Sequence, residues 1–293
     1  MENRNEINMI SQEDLRKCLS GGIWAGRPLL FKEKVDSTNA WIIRLARREE
    51  ELSGTICGDM GSESAVGQNQ AGHGTLAVAE LQESGRGRRG RSWESPKGSG
   101  IWMSILLKPE LPIEKNAMIT LVMAMAVRKT LSRYSGSSLI KWPNDIVIDG
   151  KKVCGILTEM SATADRIEYV VIGTGINVLN EGFKDDLKEL AVSVGMLSEK
   201  VPERARILEK INAAFEKRYE IFLRTHDLRS LKDEYNSFMA GRDEEIRASG
   251  KKGELRGKAR GIDDRGRLIV ETADEKRLLE SGEISIRGIY GIH

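Results

Sequence analysis

Apolar residues recur along the chain with two spacings, one near 3.6 and one of 2, and their alternation sets the expected order of elements. Ser11, with Asp14 three residues on, marks the start of a short helix, and a strand follows within residues 1–35. Trp41, Ile42 and Leu45 then share one face of a helix that Asp36 or Ser37 can cap. Thr75 to Ala79 reads as a buried strand and Ile101 to Leu107 as a second, ended by Pro109 and Pro112. From Glu114 to Arg133, Met118, Leu121, Val122, Met125 and Leu131 keep helical spacing, and Gly136 suits the stop. Leu139 to Trp142 resumes strand character. Ile146 to Ile148 and Val153 to Met160 flank Asp149-Gly150, a strong hairpin turn signal. Tyr169 to Ile172 is another apolar strand, running into Gly173-Thr174-Gly175. Helical patterns follow over 202–223 and 228–239. Beyond Gly241 the texture changes to short alternating strands, with Asp264-Arg265-Gly266 as a turn. The order predicts an α+β body with a mixed sheet over 1–240 and a small β-barrel-sized unit over 241–293. Residues 53–74, rich in Gly, Ser, Gln and Asn, read as an exposed loop.

Composition narrows the class. The 293 residues are 40% hydrophobic, enough for packed cores, and the 46 basic and 44 acidic side chains leave a net charge of +2. Any recognition of anions must therefore be local rather than spread over the surface. No apolar run reaches 18 residues and the N-terminus has no stretch of signal-peptide character, so no membrane span is predicted and a cytoplasmic location is expected. Cys18, Cys57 and Cys154 lie far apart, as do His73, His226 and His293, which leaves no disulfide framework and no zinc-ligand spacing. No Gly-x-Ser-x-Gly elbow supports a serine hydrolase.

Two segments carry candidate chemistry. Residues 85–91 read Gly-Arg-Gly-Arg-Arg-Gly-Arg, which satisfies Gly-x-Gly-x-x-Gly and nearly satisfies a phosphate-binding P-loop. Both motifs need a helix directly after the glycines, and Ser92 to Gly100 cannot start one, so the helix dipole that would hold a pyrophosphate is missing. Four arginines in seven residues still demand a reason. Like charges so crowded repel, and the loop should order around something anionic, such as a polyphosphate or an adenylate. A solvated loop and an arginine–glycine contact for single-stranded nucleic acid remain open.

The second segment is Lys141-Trp142-Pro143-Asn144-Asp145, with Lys152 just past the hairpin turn. Pro143 keeps the chain extended or turning, so Asn144 and Asp145 would project from a strand mouth toward a metal or a ribose hydroxyl. Lys152, read as an exposed strand-edge lysine, can reach the same space and suits a carboxylate or a phosphoryl oxygen. Taken alone, these residues favour a plain β-hairpin with charged turn residues over a ligand site, and Trp142 alone suits a core.

Together the motifs resemble the biotin–protein ligases. The matching pieces are Asp36-Ser37-Thr38-Asn39, Ala79 to Gln82 with the 85–91 loop and Trp93, the run 141–145, Lys152 to Leu157, and Gly173 to Asn177. Gly282 to Ser285 and Arg287 extend the match. The resemblance implies a mixed-sheet catalytic domain followed by a small SH3-like β-barrel. It also implies ATP-dependent attachment of biotin to one lysine of a biotin carboxyl carrier protein, through biotinoyl-5'-AMP, with Mg2+ accompanying ATP. Ser37, Thr38, Asn39 and Gln82 would line the ureido end of biotin, with Gly85, Arg86, Gly87 and Arg88 closing over it and Gly155 letting the backbone approach. Arg88, Arg91, Trp93, Asn144, Asp145, Asn177 and Arg287 fall on the ATP and adenylate side, Asp145 also as a metal ligand. Lys152 would neutralise the carboxylate and the α-phosphate, and Arg88 is its expected catalytic partner.

Some members of that family carry an N-terminal winged-helix domain. Only about 35 residues precede Asp36, too few for three helices and a wing, so no operator DNA is expected as a partner. The pattern leaves a homodimer open. The nearest rival is a lipoate or octanoate ligase, which shares the fold and the adenylation chemistry, and the arginine-rich loop favours biotin over it. A non-enzymatic nucleic-acid-binding protein would use the arginines but gains nothing from Lys152 or Asn177.

Overall fold

The computed structural model describes residues 9–19, 24, 28–47, 55–56, 71–184, 186–198, 201, 203–250, 253–281 and 284–287. The elements in chain order begin with α1 (Gln12–Leu19), β1 (Leu29–Val35), α2 (Thr38–Ala46), β2 (Thr55–Ile56), β3 (Leu76–Gln82) and β4 (Gly100–Leu107). Helix α3 (Asn116–Leu131) leads to β5 (Ser138–Lys141), β6 (Asp145–Ile148), β7 (Lys151–Ala162) and β8 (Ile167–Asn177). Then come α4 (Val194–Leu197), α5 (Arg204–Thr225) and α6 (Lys232–Ser237). The chain closes with β9 (Glu245–Gly250), β10 (Gly253–Ile262), β11 (Leu268–Glu271), β12 (Lys276–Leu279) and β13 (Ile284–Arg287).

The large sheet has eight strands in the order β2-β1-β3-β4-β8-β7-β6-β5. Only β1 and β3 pair in parallel, because α2 lies between them and a parallel pair needs a crossover. The Asp149-Gly150 turn forms as the sequence predicts, with both residues at positive φ (49° and 76°), and joins β6 to β7. Ser11 and Asp14 form a reciprocal capping box, the serine hydroxyl accepting from Asp14 N at 3.1 Å and the carboxylate from Ser11 N at 3.2 Å.

Period-2 alternation gives the sheet two unlike faces. Ile101, Met103, Ile105 and Leu107 of β4 face one core cluster with α3 and α5, whereas Leu106 faces a second cluster under α2 with Trp41 and Leu45. Helix α3 is apolar nearly all round because it is sandwiched between the sheet and α5, which is why eleven of its sixteen residues are buried. Helix α2 covers only part of the opposite face. The rest of that face, over β7 and β8, is left to loops.

The small sheet is antiparallel, in the order β12-β11-β10-β9-β13. It does not pack as a separate bead. Ile246, Ala259, Ile262, Leu268 and Val270 join the same core cluster as α3 and α5. Trp142 is a core residue whose indole Nε1 donates to Gly266 O at 3.0 Å, and Asn236 Oδ1 accepts from Ile262 N at 2.7 Å. A core shared across the junction fixes the small sheet beside the large one.

Three sequence expectations need adjustment. Ser37 stands at the N-cap of α2, but its hydroxyl makes no capping bond; it lines a cavity instead. The second late helix is shorter than the 228–239 pattern, and α4 was not expected. In the polar stretch 53–74, Thr55–Ile56 pair with β1 and Ala71 is buried, while residues 57–70 lie outside the described residues.

A buried ion pair ties the body together. Glu80 and Arg204 are both fully buried, with Arg204 Nη2 2.9 Å from Glu80 Oε1. The same carboxylate accepts from Ile10 N at 2.6 Å and Gly98 N at 3.1 Å, and Arg204 Nη1 donates to Gly100 O at 2.7 Å. Satisfied at every oxygen, the pair is tolerable without solvent; broken, it leaves a buried cation alone. Glu80→Ala is therefore expected to lower the unfolding free energy by about 3–5 kcal/mol, measured by urea titration.

Candidate active site

The floor of the site is backbone. On β7 and β8, Gly155 pairs with Gly175 and Leu157 with Gly173. A Cβ on Gly175 would stand 2.5 Å from Trp93 Nε1, and one on Gly155 2.9 Å from Trp93 Cζ3, so only glycine lets the indole lie on the strands. Lys152 Nζ stands 5.1 Å from the Trp93 ring centroid, within cation–π reach. The close approach expected at Gly155 is thus made here by Trp93 and the Lys152 stem.

Over the floor sits the start of α2. Thr38 N and Oγ1 both donate to Gln82 Oε1, at 2.9 and 3.1 Å, and Gln82 Nε2 donates to Ser95 Oγ at 2.8 Å. Ser104, from β4, bonds Thr38 Oγ1 at 2.7 Å and Asn39 Oδ1 at 2.5 Å. Asn39 Nδ2 reaches Glu159 Oε2 at 2.7 Å. Ser37, Thr38 and Asn39 are buried, so the bonds among Thr38, Asn39, Gln82 and Ser104 are largely shielded from solvent.

The arginine loop folds back on itself. Gly87 N donates to Arg91 O at 2.7 Å and Trp93 N to Gly85 O at 2.8 Å, and the tip turns through Arg89 and Gly90 at φ 58° and 73°. As the sequence implies, no long helix follows the glycines. Arg86 meets Glu159 at 3.0 Å. Arg88 donates to Asn144 Oδ1 at 2.8 Å and to Ser281 O at 2.5 Å, linking the loop to both sheets. Burial lowers the Arg88 guanidinium from its ordinary value, Asp145 opposing the fall and Arg89 adding to it. Arg89 and Arg91 are exposed.

Lys152 is not an edge lysine. At its position β7 pairs with Val147 of β6 on one side and bridges Ala191 on the other, Lys152 N donating to Leu190 O at 2.7 Å and Val192 N to Lys152 O at 3.0 Å, and its side chain is 30% exposed. Its Nζ lies 2.8 Å from Asp145 Oδ1, an ion pair without the alignment of a hydrogen bond. Asn144 is clamped to β7, with Nδ2 donating to Ile156 O at 2.9 Å. Asn177 is buried at the end of β8 and donates to Val192 O at 3.3 Å. Burial pulls the Lys141 ammonium down to about 8, with Asp145 opposing and Lys152 and Arg91 adding to the fall.

Two cavities meet here. A small one of about 50 Å³ is enclosed by Thr38, Asn39, Gln82, Arg86 and the glycine floor. A large one of about 1800 Å³ runs past Lys141, Asp145 and Asn177 to the 180–191 segment and Arg247 of β9. Arg88, Trp93, Asn144 and Lys152 line both. Of the sequence-predicted residues from Ser37 to Asn177, all but Gly85 line one or both cavities; Gly85 instead packs against Trp93 and Ser95 at the base of the loop. Arg287 pairs in register with Arg247, although nothing further is described for its side chain, and Gly282 and Glu283 lie outside the described residues. Glu159, Ser104 and Arg247 were missed, and Lys141, quoted within the 141–145 run, was given no role. The alternation of β7, which puts Glu159 on the face of Gly155, was the one signal available for the first of them.

Among the described residues no cluster of three metal-binding side chains exists. Mg2+ uses few protein carboxylates and takes the rest of its ligands from phosphates and water. Asp145, which lines the large cavity and whose Oδ1 meets Lys152 Nζ without an aligned hydrogen bond, fits that demand.

The site is thus a glycine floor with a small and a large cavity that meet at Arg88 and Lys152. The chain belongs to the biotin/lipoate A/B protein ligase family. That family's model matches residues 61–177, and a biotin protein ligase C-terminal domain model matches 243–287. The bifunctional ligase/repressor BirA of Bacillus subtilis (strain 168) is 41% identical over 224 residues, covering 75% of this chain and 69% of that protein. The biotin–[acetyl-CoA-carboxylase] ligase of Paracoccus denitrificans is 28% identical over 261 residues, covering 87% and 99%. The solved biotin protein ligase from Aquifex aeolicus in complex with biotin and ATP superposes with a TM-score of 0.71 at 26% identity, covering 88% of this chain and 97% of that one.

Lys141 gives the large cavity a pH signature. A lysine at about 8 is charged below that pH and neutral above it, and an anion favours the charged form. ATP affinity is expected to fall between pH 7.5 and 9.5, and Lys141→Gln to flatten that fall, as read by calorimetry.

Proposed function

We propose that this chain attaches biotin to a lysine of a biotin carboxyl carrier domain in two steps at the junction of the two cavities. One observation carries the reading: Lys152 and Arg88 line both cavities at their common wall. Biotin's ring system would occupy the small cavity against Thr38, Asn39 and Gln82, with Ser37, Gly85, Arg86 and Gly87 around it. Its tail would pass Gly155. The large cavity would take ATP, with Asn177 on the adenine side, Asn144 and Trp93 along the nucleotide, and Arg91 and Arg287 toward the phosphates.

In the first step a carboxylate oxygen of biotin attacks the α-phosphorus, the bond to the bridging β-phosphate oxygen breaks, and pyrophosphate leaves. Two anions approach each other only where fixed cations offset their repulsion, which is the role assigned to Lys152 and Arg88. Asp145 would hold Mg2+ on the triphosphate, where the metal supplies charge neutralisation. In the second step the neutral ε-amine of the carrier lysine attacks the acyl carbon. The bond to AMP breaks and the amine proton is lost to solvent.

The division at residue 240 belongs to the same proposal. Residues 241–293 would form a distinct small unit whose Arg247 closes the far wall of the large cavity. Its shared core makes it a fixed wall rather than a swinging one.

Three measurements test the reading. ATP–pyrophosphate exchange should depend on biotin and be absent with lipoate or octanoate; exchange with lipoate instead would overturn the substrate. Lys152→Ala should slow biotin-dependent exchange by about 10²–10³-fold without loss of fold, and normal exchange would remove Lys152 from the site. Arg88→Gly cuts the loop's ties to Asn144 and Ser281. Biotinoyl-AMP should then escape and label bystander proteins, whereas strictly carrier-limited labelling would count against retention by Arg88.

A further inference from the structure

The arginine loop is fixed differently at its two ends. Where it rejoins the body, Ser95 receives Gln82 Nε2 at 2.8 Å, a neutral contact that continues to Thr38. Where it leaves the body, the contact is charged. Arg86 Nη2 donates to Glu159 Oε2 at 3.0 Å, and the same oxygen receives Asn39 Nδ2 at 2.7 Å. Glu159 lies two residues beyond Leu157 and four beyond Gly155 on β7, so strand alternation gives it the face of the glycine floor. Asn39 can meet it there because Gly173 has no Cβ, which would stand 2.2 Å from Asn39 Oδ1. The carboxylate thus joins the start of the loop to the start of α2 across one wall of the small cavity.

We propose that Glu159 is a positioning residue for biotin capture, holding Arg86 and with it the start of the loop in register over the small cavity. The inference rests on reading that cavity as the biotin site. Four neighbouring guanidinium groups repel one another, and a carboxylate at one fixed point selects one arrangement of the loop from many. The pair is partly exposed, 45% at Arg86 and 29% at Glu159, so it adds little to global stability. Its loss should be felt in how the loop meets a ligand. Asn39 keeps Leu157 O as an acceptor at 3.3 Å when the carboxylate is removed, which preserves the rest of the network.

The test is biotin-dependent ATP–pyrophosphate exchange with the parent chain, Glu159→Gln, Glu159→Ala, Arg86→Ala and the double variant of Glu159→Ala with Arg86→Ala. Both Glu159 variants are expected to raise the KM for biotin about tenfold, leaving kcat, the KM for ATP and the melting temperature close to the parent's. Because Glu159 is argued to act through Arg86, the double variant should be no worse than Arg86→Ala alone. A biotin KM unchanged in both Glu159 variants, a fall confined to kcat, or fully additive effects in the double variant would each overturn the proposal while the biotin reading stands. No biotin-dependent exchange from the folded parent would overturn the reading and the proposal with it. Glu159→Gln, which preserves side-chain volume, decides the matter if the alanine variant does not fold.

Discussion

The structure depends on a stretch of sheet with no side chains on its working face. Where Gly155 opposes Gly175, nothing rises from β7 or β8 to fill the space above them, and Trp93, Lys152 and the start of α2 converge there. The other face of the same strands is packed against α3 and α5. A strand alternates its faces whether or not both are needed, so a floor of glycines can be cut into one side without disturbing the core on the other. The site is in this sense a deliberate omission from the sheet.

The second constraint is electrostatic. Arg86, Arg88, Arg91, Lys141 and Lys152 crowd around the two cavities, and the acids near them are few. Asp145 meets Lys152 and Glu159 meets Arg86, while Arg88 is received by neutral acceptors, an amide and a carbonyl. Partial neutralisation of this kind keeps a cationic cavity folded while leaving it an excess of positive charge for anions. The depressed Lys141 ammonium is the visible cost of that excess, since burial and like charges both push it toward its neutral form.

The small sheet contributes to the same economy of space. Its core is continuous with that of the large sheet, and the 263–267 turn is held by Trp142 and Lys232. Arg247 and the carbonyl of Ser281 therefore stand at fixed positions against the cavity and the arginine loop. Residues more than a hundred positions apart in the chain behave as one wall because the packing between the sheets is apolar and shared.

The sequence by itself determined the elements and the roster of chemistry. The 2 and 3.6 periods place β3 to β8 and α2, α3 and α5, since those periods reflect local geometry and the burial of one face, while the small sheet was legible only as a change of texture. The hairpin at Asp149-Gly150 follows from backbone sterics alone. The motifs from Asp36-Ser37-Thr38-Asn39 to Asn177 named most of the site because each is short and local. Only the tertiary structure decided how they meet. Ser37 looks like a helix cap but faces a cavity, and Lys152 looks like an edge lysine but is flanked by β6 on one side and by the 190–192 segment on the other. Glu159, Ser104 and Arg247 carry no local signature, for an acid, a serine or an arginine on a strand has the same sequence texture wherever it points. Their roles come from strand order and from contacts across 65 and 73 residues, which no local period encodes.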